Sequence, residues 1–426
     1  MPIPWFDDSL RVLVDTLQRA LGTESVQAGV VLRDASGRLT FYSREELADE
    51  KREQVSTLLR TKLLAYARED RVVVGCDLPG AARILTDPQV RLIEVGGVDI
   101  RYVDRRVVGA DWLTAPKPIQ TSPPRFVFAS LKGGVGRSTA LSVVAAEHAR
   151  RGHNVLVVDL DLEAPGVGSL LLGHDRYPRH GALDYLVERN LRPLVARDLD
   201  ELIGTSGLTS GAGLVDVVPV AGSRSLEEPH NYLSKLARAM IEGMSNGELP
   251  LADKLREMLA ALESRRSYDL VLVDARAGLA ELAAGPLLAL GANVLLFGTA
   301  QPQTLEGLRF LFAHLLRFIP PESPSPGRAL RMIHAKSQLK ESHERFKDDL
   351  WELFAEYLYE EQNELEGFNF DVNAPNAPHN PIPIPLDPAF ADWNPVEKPD
   401  MLVEEYYART FAGLLRFVDD VIEGSR

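Results

Sequence analysis

A chain of 426 residues with 45% apolar side chains is long enough to bury a core in two or three compact units. It lacks both an uninterrupted eighteen-residue apolar stretch and a basic-then-apolar opening, which excludes membrane-spanning and exported classes and makes the cytoplasm the expected compartment, as does the single cysteine, Cys76, which offers no intrachain disulfide or multi-thiolate metal site. With 47 basic against 61 acidic residues, the formal charge of −14 repels polyanions at long range, so DNA is disfavoured as a partner unless basic residues gather on one face.

Residues 1–114 read as a small α+β unit. The periodicity of Leu10, Leu13, Val14, Leu17 and Leu21 predicts an amphipathic helix capped by Asp8 or Ser9 and ended by Gly22. A hairpin is expected for Gly29–Arg33 and Arg38–Tyr42 around Asp34-Ala-Ser-Gly37, followed by a helix opening at a capping box, Ser43-x-x-Glu46. Short strands are expected at Val72–Gly75, Arg91–Val95 and Asp99–Val103, and no motif in this unit specifies chemistry.

Residues 115–124 hold four prolines and are expected to form an extended, stiff linker. From Arg125 to Arg426 the pattern changes to short apolar runs separated by helix-length segments: Phe126–Ala129, Val155–Val158, Val215–Val218, Leu270–Val273, Val294–Phe297 and Leu330–Ile333. Strands apolar on both faces imply a mainly parallel sheet covered on both sides, a doubly wound α/β domain. The stripe of Phe346, Leu350, Leu353 and Phe354 reads as core. A proline-rich, irregular insertion at about 366–400 precedes a final amphipathic helix with Phe411, Leu414, Leu415, Val418 and Ile422 on one face.

The chemistry concentrates where the first of these strands meets Lys132-Gly133-Gly134-Val135-Gly136-Arg137-Ser138-Thr139 and the helix after it. In a strand–glycine loop–helix unit, backbone amides and the positive end of the helix face a common concavity suited to phosphate oxygens. Ser138 is the candidate magnesium ligand and Thr139 a candidate phosphate contact. Measured against Gly-x-x-x-x-Gly-Lys-[Ser/Thr], the match is imperfect: Leu131 holds the first glycine position and Arg137 the lysine position.

The loop instead resembles the deviant Walker A motif of the ParA/MinD family of the SIMIBI class, Lys-Gly-Gly-x-Gly-Lys-[Ser/Thr]-Thr, from which only Arg137 departs. The resemblance covers most of 125–426. Val157-Val-Asp-Leu-Asp161 looks like the family's first switch, Tyr268-Asp-Leu-Val-Leu-Val-Asp274 like its Walker B strand, and Ala275-Arg-Ala-Gly278 like its second switch. Ile384-Pro385-Leu-Asp-Pro-Ala-Phe390 looks like its nucleotide-base loop, with His334-Ala-Lys336 standing where an asparagine commonly reads adenine. The resemblance implies ATP and Mg2+ as cofactors, with Gly133, Gly134, Val135, Gly136, Arg137, Ser138, Thr139 and Pro385 around the nucleotide and Ser138, Asp159 and Asp274 at the metal. It further implies that Asp161 orients the attacking water and that Lys132 crosses to the nucleotide of a second copy.

The resulting expectation is a slow, Mg2+-dependent ATPase that forms an ATP-dependent homodimer and works as a switch, with an unidentified protein partner recognised through residues 1–114. A non-hydrolysing ATP-binding scaffold is the alternative, because a guanidinium is broader than an ammonium; a ligase or amidotransferase of the same superfamily ranks behind it. Membrane anchoring is disfavoured, since Asp419, Asp420 and Glu423 give the final helix an acidic rather than basic face.

Overall fold

The computed structural model describes residues 4–106, 108–208, 212–240, 249–318, 325–360 and 368–424. Its backbone divides into two units, Met1–Ala110 and Asp111–Arg426. The division falls shortly before the proline-rich stretch, which is laid against the second unit: the Lys117 and Gln120 amides donate to the Leu288 and Gly291 carbonyls at 2.8 and 2.6 Å. Glycine is required at 291, where φ is +59° and an added Cβ would lie 2.5 Å from the Pro118 carbonyl oxygen.

The first unit is built on a five-stranded sheet of β1 (Val30–Arg33), β2 (Leu39–Tyr42), β3 (Val73–Val74), β4 (Arg91–Val95) and β5 (Val98–Asp104), in the order β3-β2-β1-β5-β4. The expected hairpin forms because Asp34 Oδ1 accepts from the Ser36 and Arg38 amides, both at 3.0 Å, while Gly37 takes up φ +89°. Helix Phe6–Leu21 buries Leu10, Leu13, Val14 and Leu17 but begins ahead of the expected cap. Asp8 lies inside the first turn and reaches back to the Trp5 amide at 3.4 Å, and the Ser9 hydroxyl donates to the Phe6 carbonyl. Ser43 does not cap a helix either: its hydroxyl accepts from the Glu45 amide in a local turn, and the helix, Asp49–Leu63, starts later.

The second unit is a doubly wound α/β fold. Its eight strands are β6 (Arg125–Ser130), β7 (Asn154–Leu160), β8 (Gly204–Thr205), β9 (Leu214–Val218), β10 (Leu270–Ala277), β11 (Asn293–Gly298), β12 (Leu330–Ser337) and β13 (Ile382–Pro385), ordered β13-β12-β11-β6-β10-β7-β9-β8. All neighbours run parallel except β8 against β9. The pleat of β6 shows how both faces are covered: Phe126 and Phe128 pack with helices Arg137–Arg150 and Glu404–Gly424, whereas Val127 and Ala129 pack with helices Leu251–Glu263 and Pro302–Phe318. Phe346, Leu350, Leu353 and Phe354 of helix Lys340–Tyr357 join that second layer.

Sequence pattern located six of the eight strands. It missed β8, which is two residues long, and β13, which lies within the stretch expected to be irregular. In β13 the period-two alternation is present, with Ile382 and Ile384 buried and Pro383 and Pro385 exposed, and an edge position tolerates prolines that donate no hydrogen bond. The start of the expected insertion, residues 366–367, lies outside the described residues.

Candidate functional site

Strand β6 ends centrally in the sheet, between β11 and β10, and delivers the glycine loop to the start of helix Arg137–Arg150. Gly134 and Gly136 adopt φ +71° and +88°, a left-handed conformation that side chains with a Cβ resist. A Cβ added at Gly133, Gly134 or Gly136 would meet no atom within 4 Å, so the concave side of the loop is lined by backbone alone. The first-turn amides of the helix have no intrahelical acceptors and, with the helix macrodipole, form an anion-holding end. Val135 is buried and anchors the loop in the core; Thr139 is half-buried.

Strands β7 and β10 bring the expected carboxylates to the same place. The Ser138 hydroxyl donates to Asp274 Oδ2, while Asp274 Oδ1 is buried with no hydrogen-bond partner. An orphaned carboxylate oxygen beside a hydroxyl suits a hard divalent cation or its bound water, so this pair fits Mg2+. Asp159 is used differently: its Oδ1 accepts from the Asp161 amide at 3.1 Å, and its Oδ2 from the Gly166 and Val167 amides at 3.0 and 3.1 Å. Both oxygens thus shape the loop after β7, bringing Gly166 so close that an added Cβ would lie 3.7 Å from Ser138 Oγ. Burial, then the neighbouring Asp274 charge, pushes the Asp159 carboxyl well above the usual range; burial likewise raises Asp274. A nearby cation would relieve both. Among the described residues no group of three or more His, Cys, Asp and Glu side chains forms a complete cage, so a metal here would draw further ligands from water and phosphate.

Arg137 is engaged by protein groups. Buried at 7% exposure, its guanidinium donates to the Ala275 carbonyl and, at 3.1 Å, to Asp161 Oδ2. Burial raises the Asp161 carboxyl against the pull of that guanidinium. Arg276 is ion-paired with Glu163, and the Tyr232 hydroxyl donates to the Leu162 carbonyl at 2.8 Å, so three successive residues after β7 are each held. Lys132 is exposed, with Nζ 3.3 Å from Gln301 Oε1.

A cleft of about 550 Å³ opens from the loop, lined by Gly134, Gly136 and Thr139 at one end and by Pro385, Asp387 and Phe390 at the other. Lys336 enters its wall with φ +54°, a backbone setting that is uncommon outside glycine. His334 is not part of the cleft: its Nδ1 lies 2.9 Å from His343 Nδ1, and the two rings stack. Thr410 and Phe411 of the final helix complete the wall, with Thr410 Oγ1 donating to Asp387 at 2.8 Å. Sequence reasoning assigned Phe411 only to the core and did not single out Thr410, which sits on the apolar stripe and carries no motif.

No protein-family model and no curated protein matches the chain. Solved structures do. The chain is similar to a ParA family ATPase from Chlorobium tepidum TLS, at 17% identity over 68% of this chain and 99% of that one, with a TM-score of 0.42. It is similar to the cell division ATPase MinD of Pyrococcus furiosus at 18% identity over 70% and 99%, TM-score 0.42, and to the MinC:MinD cell division protein complex of Aquifex aeolicus at 17% over 70% and 96%, TM-score 0.42. What the site does chemically follows from its own residues.

Two different environments meet there. The glycine loop, helix start and Ser138–Asp274 pair suit a metal-chelated polyphosphate, and the half-apolar cleft suits a flat ring with a polar edge. Among the described residues no helix is long and apolar enough to cross a membrane.

Proposed function

We propose that the second unit binds Mg2+-ATP and hydrolyses it slowly, as a dimerising switch of the ParA/MinD type. The observation that carries this reading is the loop with left-handed Gly134 and Gly136 beside a hydroxyl–carboxylate pair, Ser138 and the buried Asp274, whose second carboxylate oxygen has no partner. Gly133 to Thr139 would hold the phosphates, Ser138 and Asp274 the Mg2+, and the Pro385–Phe390 wall with Lys336 the base. Asp159 supports that arrangement through the backbone of residues 161–167 rather than by a free oxygen. A Mg2+ held by Ser138 and Asp274 would supply neutralisation of phosphate charge.

Asp161 is the candidate for orienting the attacking water, and Lys132, exposed at the loop's rim, for reaching a second copy's nucleotide. The dimer would be ATP-dependent, and the first unit would carry specificity for a protein partner, in a cytoplasmic setting. Net charge works against DNA as that partner and the acidic final helix against a membrane.

Calorimetry with Mg2+-ATP and Mg2+-GTP tests the reading: uptake of ATP is expected, and absence of uptake of either by folded protein refutes it. A non-hydrolysing scaffold is favoured by one observation, the engagement of Arg137 with Asp161. Phosphate release separates the two, and Arg137→Lys is expected to preserve or raise it.

A further inference from the structure

The one departure from the expected loop, arginine in place of lysine at 137, has a structural partner. A guanidinium is a planar fork with five donors, so it spans two acceptors that a compact ammonium would have to choose between. Here the fork joins Asp161, just past β7, to the Ala275 carbonyl within β10, from the first residue of the helix that follows the loop. Both charged partners are nearly removed from water, with side-chain exposures of 8% and 10%. At such burial an ion pair resists separation unless another anion replaces the lost one.

The same residue opens the helix directly after the glycine loop, the place where the reading above puts the phosphates of a bound nucleotide. We propose that Arg137 is exchanged between Asp161 and the terminal phosphate of a bound nucleoside triphosphate. Filling of the loop and release of the segment after β7 are then one competitive event. That segment is held at Asp161 by Arg137, at Leu162 by Tyr232 and at Glu163 by Arg276. Of these contacts only the first uses a residue of the glycine-loop segment itself, so it is the one tied here to the terminal phosphate. Asp161 becomes able to face an attacking water only after Arg137 has left it. Arg137 is in this sense a positioning residue as well as a phosphate ligand. The inference rests on the nucleotide-binding reading given above.

The test is a double-mutant cycle on the full chain, read by calorimetry with Mg2+-AMPPNP and Mg2+-ADP. Asp161→Asn frees the guanidinium and is expected to tighten AMPPNP binding about tenfold, with ADP binding unchanged. In an Arg137→Ala background the same substitution is expected to give no gain. A persisting tenfold gain there would show that Asp161 merely repels phosphate, and an equal gain for ADP would show that no terminal phosphate is sensed; either result overturns the exchange. Should Arg137→Ala fail to fold, Arg137→Lys replaces it, with a gain clearly below that seen beside arginine; a full gain overturns the exchange too. Wild-type protein that binds neither nucleotide refutes the nucleotide reading itself, whereas normal binding without coupling refutes only the exchange.

Discussion

Glu147 offers the most quantitative handle on what holds the site together. It lies on helix Arg137–Arg150 at 1% exposure and accepts from Arg150 Nε and Nη2 at 2.9 and 2.8 Å, from Arg151 Nε at 2.6 Å and from the Tyr407 hydroxyl at 2.6 Å. Burial alone would raise its carboxyl, yet the bonds from Arg150, Tyr407 and Arg151 bring it down to about 2. At about 1.4 kcal/mol per pKa unit this is an upper bound of roughly 3 kcal/mol. The arginine side chains are 41% and 38% exposed, and screening of those partners leaves about 2 kcal/mol.

Because the folded value is the lower one, the stabilisation is complete above the ordinary carboxyl range and disappears as pH falls through about 2. Glu147→Gln is therefore expected to lose about 2 kcal/mol at pH 7, and the gap to wild type should shrink to about two-fifths of that at pH 3. Urea unfolding followed by tryptophan fluorescence measures both values. A gap that stays constant between the two pH values would refute the electrostatic account and leave only lost packing. The substitution also has a functional reach, since Tyr407 belongs to the helix whose Thr410 and Phe411 line the cleft.

Gly136→Ala meets no atom, so its cost is backbone strain alone: about 1–2 kcal/mol of stability, read as a lower Tm, together with loss of triphosphate uptake. Lys132→Ala should leave nucleotide uptake by the monomer intact and abolish nucleotide-dependent dimerisation; an unchanged dimer fraction by sedimentation would count against a shared site. Phe390→Ala removes an apolar wall of the cleft and should weaken binding of a fluorescent ATP analogue several-fold while leaving inorganic pyrophosphate binding unaltered. Equal losses for both ligands would place the base elsewhere.

The central strands were legible because burial on both faces leaves little choice but continuous runs such as Phe126–Ala129 and Leu270–Val273, and the loop was legible because left-handed turns select glycine. Local caps were less legible. Asp8 and Ser43 carry the right side chains for capping, but Asp8 acts from inside the first turn, accepting from the Trp5 amide, and Ser43 closes a local turn ahead of its helix. The directions of Arg137 and Asp159 had no sequence signal, because each depends on how the backbone folds around it: the Ala275 carbonyl from another strand for one, the Gly166 and Val167 amides of the loop curling back after β7 for the other. β13 was masked by its own prolines, which read as an irregular insertion until an edge position explains them.

That edge has a bearing on assembly. Along β13 every second residue lacks an amide hydrogen, and at the opposite margin β8 is only two residues long, so neither border of the eight-stranded sheet offers an incoming chain a ladder of any length. Pairing of copies through the second unit is therefore left to loops and helices, which puts its geometry under the control of segments that a ligand can move.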